Sequence, residues 1–307
     1  MRKIKLLLLI FWRSLISVYK NLHHLYKGQS TGDYILQVSH RLEKGMCISV
    51  PKPLWGWDKA FDLAQTVLKE QENLFAKKTG IAVLQAYVEH KRCWGNEKDL
   101  EKLKSFEIQY GDLLYNNVDE GKGGAIILHK SDVLCDLASA EKLFNSRHSI
   151  RDFDDSEVPL EKIYKAIEMA NRCPSACNRQ PSHVYLIQQD LWHKYTPDMN
   201  QAYNCKQHLL ITVSRSAYTI DEINDWIVSA SIFAGYLSLS LTAVGIGSCV
   251  IKKSLLNDNA YKQLKRYCGI PDDEKIILEI AIGNYKESFS VPISNRKTIK
   301  QLLTIVE

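Results

Sequence analysis

From Asp33 to about residue 117 the apolar positions recur every three to four residues, the period of helices that bury one face. Tyr34 to Lys44 ends at Gly45, Lys59 to Lys78 carries Phe61, Ala64, Leu68 and Phe75 before Gly80, and Ile81 to Trp94 ends at Gly95. Glycine just past the last periodic residue is a common left-handed helix stop, so the pattern predicts one helix after another. Ser131 is a good N-cap for a helix from Asp132 to Phe144. Pro159 fits a first helical position, with Ile163, Ala166, Ile167 and Ala170 as an apolar face up to about Arg172. A short strand follows at His183 to Ile187.

Met1 to Phe11 begins like a secretory signal, basic and then apolar. Arg13 breaks the run, no small-residue cleavage site follows, and the run is short of the roughly 20 apolar residues that span a bilayer. Neither secretion nor spanning is expected. On a helix, Ile4, Leu7, Leu8, Phe11, Leu15, Val18, Leu22 and Leu25 share one stripe, with Lys5, Arg13, Lys20 and Lys27 opposite. Such a basic amphipathic helix suits an anionic membrane surface. It equally suits packing on the protein's own body or a second subunit, because Leu6, Leu9, Ile10 and Ile16 blur the polar face.

The charge of +5 is a property of that tail. Residues 1 to 30 hold six basic side chains and no acid, so the other 277 residues sum to −1. A nucleic-acid-binding body, which needs a basic face, is disfavoured. The length of 307 residues fits two domains or one with an extension. We divide it into a basic helix at 1–30, a helical region at 31–145 and a chemistry-bearing domain at 146–307. The Gly-rich stretch at 121–124 marks the boundary region and lacks the Lys-Ser/Thr pair of a phosphate-cradling loop. Trp55 and Trp57, in the Pro-rich connection from Ser49, read as buried loop anchors. Eight cysteines without a CxxC pair point to a reduced, cytoplasmic protein, and the adjacent His23 and His24 point to different helix faces, so no metal site is expected.

Two later segments carry candidate chemistry. Asn145-Ser146-Arg147-His148-Ser149-Ile150-Arg151-Asp152-Phe153 sets two guanidinium groups four residues apart around a hydroxyl, a combination able to grip a phosphate. Cys173-Pro174-Ser175-Ala176-Cys177-Asn178-Arg179-Gln180-Pro181 is a loop stiffened by two prolines and lined with amide and hydroxyl groups, suited to holding a polar planar ligand. Cys177 reads as a small buried apolar residue before it reads as a redox group.

RHSIRDF at 147–153 resembles the R-x-S-x-R-x-F motif of the nitroreductase family, and PSACNRQP at 174–181 is similar to that family's PS-x-x-N-x-QP loop. Later elements agree in order: a strand at His208 to Val213, a long helix from Glu222 to Val244, GIGS at 245–248, a strand at Lys275 to Ile282, and Arg296. The resemblance spans roughly residues 146–307. It implies an α+β fold, an antiparallel-rich sheet flanked by helices, here with an all-helical N-terminal extension. It also implies FMN held non-covalently at a homodimer interface. Carried over by position, Arg147, Ser149, Arg151 and Arg296 would bind the phosphate and His148 the ribityl chain. Pro174, Ser175 and Asn178 would line the flavin, with Gln201 nearby and Gly247 and Ser248 near the reactive edge. Ser182 stands where relatives place an aromatic residue, so the pocket is either more open or filled by another segment.

The activity implied is that of an FMN-dependent oxidoreductase, in which NADH or NADPH reduces the flavin and an electron-poor acceptor such as a nitroaromatic or quinone reoxidises it. The cofactor carries that chemistry, so no side-chain nucleophile is required. The alternatives are a specialised flavin enzyme acting on a biosynthetic intermediate at a membrane surface, and a flavin-binding or flavin-free scaffold that docks a partner. The expected location is cytoplasmic, with residues 1–28 as a peripheral contact to the inner face of the membrane.

Overall fold

The computed structural model describes residues 29–48, 52–116, 122–195, 204–219, 221–222, 224–251 and 258–306, with positions 4, 5, 7, 8, 11, 12 and 15 of the first segment. Gln201, His23, His24 and most of the basic N-terminal stripe lie outside the described residues.

Among the described residues from 29 to 116 the N-terminal body has the helices α1 (Thr31–Met46), α2 (Trp57–Lys69), α3 (Leu74–Trp94) and α4 (Glu97–Tyr115). Short polar side chains start three of them. Ser30 caps α1, Asn73 caps α3, and Asn96 forms a reciprocal capping box with Asp99 on α4. The apolar stripes meet in a core of Ile35, Leu42, Leu63, Leu84, Phe106 and their neighbours. Trp57 is a buried anchor, as expected, edge-on to Tyr87 at 5.3 Å. Beneath it lies a buried ion pair, Lys91 Nζ to Asp99 Oδ1 at 2.7 Å, with Trp57 Nε1–H donating to the same oxygen at 2.9 Å.

The glycine-stop reading needs correction at two positions. Gly45 and Gly80 lie inside α1 and α3. A Cβ at Gly80 would stand 2.6 Å from Val67 Cγ2 and 2.9 Å from Ile35 Cγ2, and one at Gly45 would overlap the Trp55 ring. These glycines permit close approach between elements; they do not end helices. The stretch from Lys59 to Lys78 is accordingly two helices, parted at Glu70–Asn73, where the Glu70 carboxylate accepts from the N–H groups of Glu72 and Asn73 at 2.8 and 3.0 Å. Gly95 does follow α3, but in extended rather than left-handed conformation. Ser131 is not an N-cap either. The expected helix from Asp132 to Phe144 is two, α5 (Lys130–Val133) and α6 (Leu137–Ser146), because Asp136 captures Ser139 N–H at 2.8 Å and starts the second.

The C-terminal body is a four-stranded antiparallel sheet in the order β1-β2-β4-β3, built from β1 (Ser182–Gln188), β2 (Gln207–Ser214), β3 (Gly247–Ile251) and β4 (Glu274–Gly283). Helices α7 (Leu160–Ala170) and α9 (Asp225–Ala243) cover one face through Ile163, Ala166, Phe233, Leu237 and Leu241 against Leu209, Ile211, Ile280 and Ile282. Helices α8 (Gln189–Tyr195) and α10 (Asp258–Tyr267) accompany a second core on Leu210, with Trp192 and Leu264. Strand β2 is buried along nearly its whole length, so Leu209, Leu210 and Ile211 follow one another where a half-exposed strand would alternate, and Gln207, His208 and Thr212 are buried with them. A last short helix, α11 (Ile299–Leu302), lies in an exposed C-terminal strap. The architecture is thus the expected α+β sheet flanked by helices with a helical N-terminal extension.

Candidate functional site

The R-x-S-x-R-x-F segment is fastened to the β3 edge of the sheet. Ser149 bridges Ser248 in parallel fashion, and Ile150 N–H donates to Ser248 O at 2.9 Å. Phe153 is fully buried, and Asn204 grips its backbone twice, accepting from N–H and donating to C=O at 2.7 Å each. The glycines opposite make room for the ring. A Cβ at Gly283 would lie 2.6 Å from Phe153 ring carbons, and one at Gly247 3.3 Å from Cε1. Gly247 and Ser248 therefore serve the motif's own anchoring; both are buried.

With Phe153 inside, the flanking polar groups remain at the surface. Arg151 is exposed and donates to Ser149 O at 3.2 Å, His148 Nδ1 lies 3.1 Å from Ser146 O, and Arg147 faces Tyr285. The neighbouring acid, Asp152, is taken by Lys286 at 2.6 Å. Among the described residues no carboxylate pairs with Arg147, Arg151 or Arg296, the last of which sits in the C-terminal strap and donates to Ser294 O at 2.6 Å. Free guanidinium forks beside a hydroxyl fit a phosphate-bearing ligand.

The PS-x-x-N-x-QP loop enters the opposite edge strand, β1. Ser175 holds it together: its carbonyl accepts from Asn178 N–H and its hydroxyl from Gln180 N–H, both at 3.0 Å. Cys177, Asn178 and Gln180 all have φ near +50°, a left-handed conformation that residues other than glycine adopt only when held. Beside Ser182 the space is closed to a cavity of about 20 Å³ walled by Asn171, Cys173, Ser175, Gln180, Ser229 and Phe233, room for about one water.

Within one chain these motifs do not share a pocket. Ser248 is in line with Gln188 through Ile282 and Gln207, whereas the loop ends at Pro181, before the far end of β1. Three strand spacings across and six residues along put the two sites roughly 25 Å apart. Gln201 lies outside the described residues.

Sequence reasoning passed over Arg179, a variable position of the loop motif. Its side chain is buried, with Nε–H donating to Ala176 O at 2.9 Å and Nη1–H to Ala217 O at 2.6 Å and to Glu222 Oε2 at 2.8 Å, and Tyr218 stacked 4.7 Å away. Arg179 in turn holds the Glu222 carboxyl down at about 2. A second buried group, Cys205 Sγ 3.4 Å from His208 Nε2 with His208 Nδ1 2.7 Å from Glu279, mimics a thiol triad. Burial pushes the Cys205 thiol up to about 12, so it keeps its proton and is no nucleophile.

Comparison with known proteins returns to the two motifs. Residues 145–219 match the nitroreductase family model. A protein of Archaeoglobus fulgidus named "Putative NADH dehydrogenase/NAD(P)H nitroreductase" is 24% identical over 152 residues, 48% of this chain and 85% of the relative. Similar solved structures include a nitroreductase family protein of Clostridium difficile 630, 19% identical with a TM-score of 0.45, covering 53% of this chain and 95% of that one. Another is a "putative nitroreductase in complex with fmn" from Desulfovibrio desulfuricans, 20% identical with a TM-score of 0.45, covering 54% and 96%. The R-x-S-x-R-x-F and PS-x-x-N-x-QP segments both lie within the stretch that matches the nitroreductase family model, so the resemblance read from the sequence falls on the same residues.

Proposed function

We propose that the protein is an FMN-dependent oxidoreductase. The observation that carries this reading is the set of guanidinium groups, Arg147 and Arg151, without carboxylate partners among the described residues, on a segment that buried Phe153 and the Ser248 bridge hold in place. Arg147, Ser149, Arg151 and Arg296 would hold the phosphate and His148 the ribityl chain, while Pro174, Ser175 and Asn178 line the ring system, with Gln201, Gly247 and Ser248 close to it. When bound, FMN supplies hydride acceptance from NADH or NADPH and delivery to an electron-poor acceptor such as a nitroaromatic or quinone. The chain's own residues would bind and orient it, with the arginine cluster neutralising the phosphate.

The separation of the two motifs supports a homodimer, in which the loop of one copy meets the arginine cluster of the other. Exposed apolar residues, among them Phe144 just before the cluster and Ile293 and Leu302 in the C-terminal strap, offer surface to such an interface. A peripheral contact of this cytoplasmic enzyme with an anionic membrane rests on Ile4, Leu7, Leu8 and Phe11, all more than half exposed.

The protein purified from cells should be yellow and should be bleached by NADH or NADPH without oxygen. Each charge-assisted hydrogen bond contributes about 1.5–3 kcal/mol, so Arg147→Ala weakens FMN binding by about one to two decades. Unaltered FMN retention in the Arg147→Ala/Arg151→Ala double variant would refute the phosphate assignment.

A further inference from the structure

Helix α1 closes its own core and also reaches the amide loop. The two bodies meet at Ala217 O, which accepts from Gln29 Nε2–H at 3.4 Å and from Arg179 Nη1–H at 2.6 Å. Next to it, Ser30 N–H donates to Ser216 O at 3.1 Å. Helix α1 packs directly on the turn Ala176–Asn178, and the Asp33 carboxylate of its first turn faces Arg179. The loop so gripped needs a grip, since Cys177, Asn178 and Gln180, at φ 49, 53 and 50°, stay left-handed only while their surroundings fix them.

We infer that the helical N-terminal body is a clamp on the amide loop, with Arg179 as the positioning residue and Ala217 O as the joint where loop and helix are tied together. The Arg179 fork reaches Ala176 O within the loop, Ala217 O in the turn after β2 and the Glu222 carboxylate at once, three directions that a lysine ammonium on a flexible stem does not span. The hold passes from α1 through the turn at 215–218 to Arg179, and from Arg179 to Ser175 and Asn178. This gives the N-terminal half a task in the site: it sets the shape of the loop from behind. The clamp rests on the proposed flavin reading only for what the loop touches, since the hold itself is a property of the chain.

The test uses the full chain and two readouts, amide hydrogen exchange of the loop and FMN titration. Two variants approach the joint from opposite sides. Arg179→Lys acts within the loop; Gln29→Ala combined with Ser30→Pro acts from α1, because Ser30 has φ −64°, which proline accepts while removing the N–H that reaches Ser216. In both, exchange at Asn178 and Gln180 should rise about threefold to tenfold, with the amides of β2 and β4 unchanged. FMN should bind about threefold to tenfold more weakly, with an altered visible circular dichroism of the flavin bound at saturation. Loop exchange within twofold of wild type in either variant overturns the clamp, whatever FMN does. If Arg179→Lys fails to fold, the α1-side variant decides alone. Faster loop exchange in a protein that binds no FMN upholds the clamp and sinks the flavin reading; unchanged exchange with FMN bound does the reverse.

Discussion

The Arg179–Glu222 pair makes a prediction whose sign and size both follow from its surroundings. Glu222→Gln keeps a neutral acceptor for the guanidinium and for Thr219 N–H, which now donates to Glu222 Oε2 at 3.0 Å, but it removes the charge. Arg179 would then be a cation 2% exposed without its ion-pair partner. The Glu222 carboxyl is held at about 2 against an ordinary 4.5, first by the hydrogen bonds from Arg179, so the folded state prefers the ionised form. At 1.36 kcal/mol per pH unit the full effect is about 3 kcal/mol. The Glu222 side chain keeps 22% exposure, and solvent screening lowers the expected loss to about 1–2 kcal/mol. A carboxyl lowered on folding stabilises above its unfolded value and loses that contribution as pH falls toward its folded value. The stability gap between wild type and Glu222→Gln should therefore be complete at pH 6 and close progressively between about pH 5 and 2. Urea unfolding of both proteins at pH 6, 4.5 and 3 measures it. A gap that stays constant, or widens toward pH 3, refutes the assignment of the charge to this pair.

Three further outcomes follow from packing and charge elsewhere. Lys91→Met leaves Asp99 buried without its cation and should cost about 3–5 kcal/mol, read as a lower urea midpoint by the fluorescence of Trp57 and its neighbours; an unchanged midpoint contradicts it. Gly283→Ala drives a methyl to 2.6 Å from the Phe153 ring, an overpacking worth about 1–3 kcal/mol, and should loosen FMN binding as well, because Phe153 seats Arg151. Deleting residues 2–28 should abolish binding to anionic vesicles while FMN stays bound, and equal vesicle binding by the truncated protein would remove the membrane contact.

The elements legible in the sequence were those whose signals are local. Strand β2 and α9 lie where the family resemblance orders them, and α7 lies where its face of Ile163, Ala166 and Ala170 puts it, with Pro159 as its N-cap and not its first helical residue. The arginine cluster and the amide loop were legible because ligand-binding residue types were crowded into nine positions each. What failed depended on partners far away in the chain. Gly80 reads as a helix stop until Val67 and Ile35 are seen against it, and Gly45 until Trp55 covers it. Strand β3 is only five residues and takes its identity from pairing with β4. Arg179 looked like one more polar residue of a loop, since its acceptors, Ala217 O and Glu222, lie 38 and 43 positions away. His208 hid in an apolar strand because its partner Glu279 sits on β4, 71 positions on.

The geometry of the sheet bears on why both motifs are needed. Antiparallel pairing fixes the register from Ser248 to Gln188, so the arginine cluster and the amide loop are held at diagonal corners of one rigid platform and no local motion brings them together. A ligand that used only the cluster would be a bound anion; one that used only the loop would lack charge stabilisation for its phosphate. In the proposed homodimer a two-fold operation would set the loop of each copy against the cluster of the other and create two equivalent sites at once. On that reading the clamp at Ala217 and the wedge at Phe153 have complementary tasks. One would fix the amide half of the proposed site from the helical body and the other its cationic half from the sheet, and in the proposed homodimer the two halves would meet across the subunit boundary.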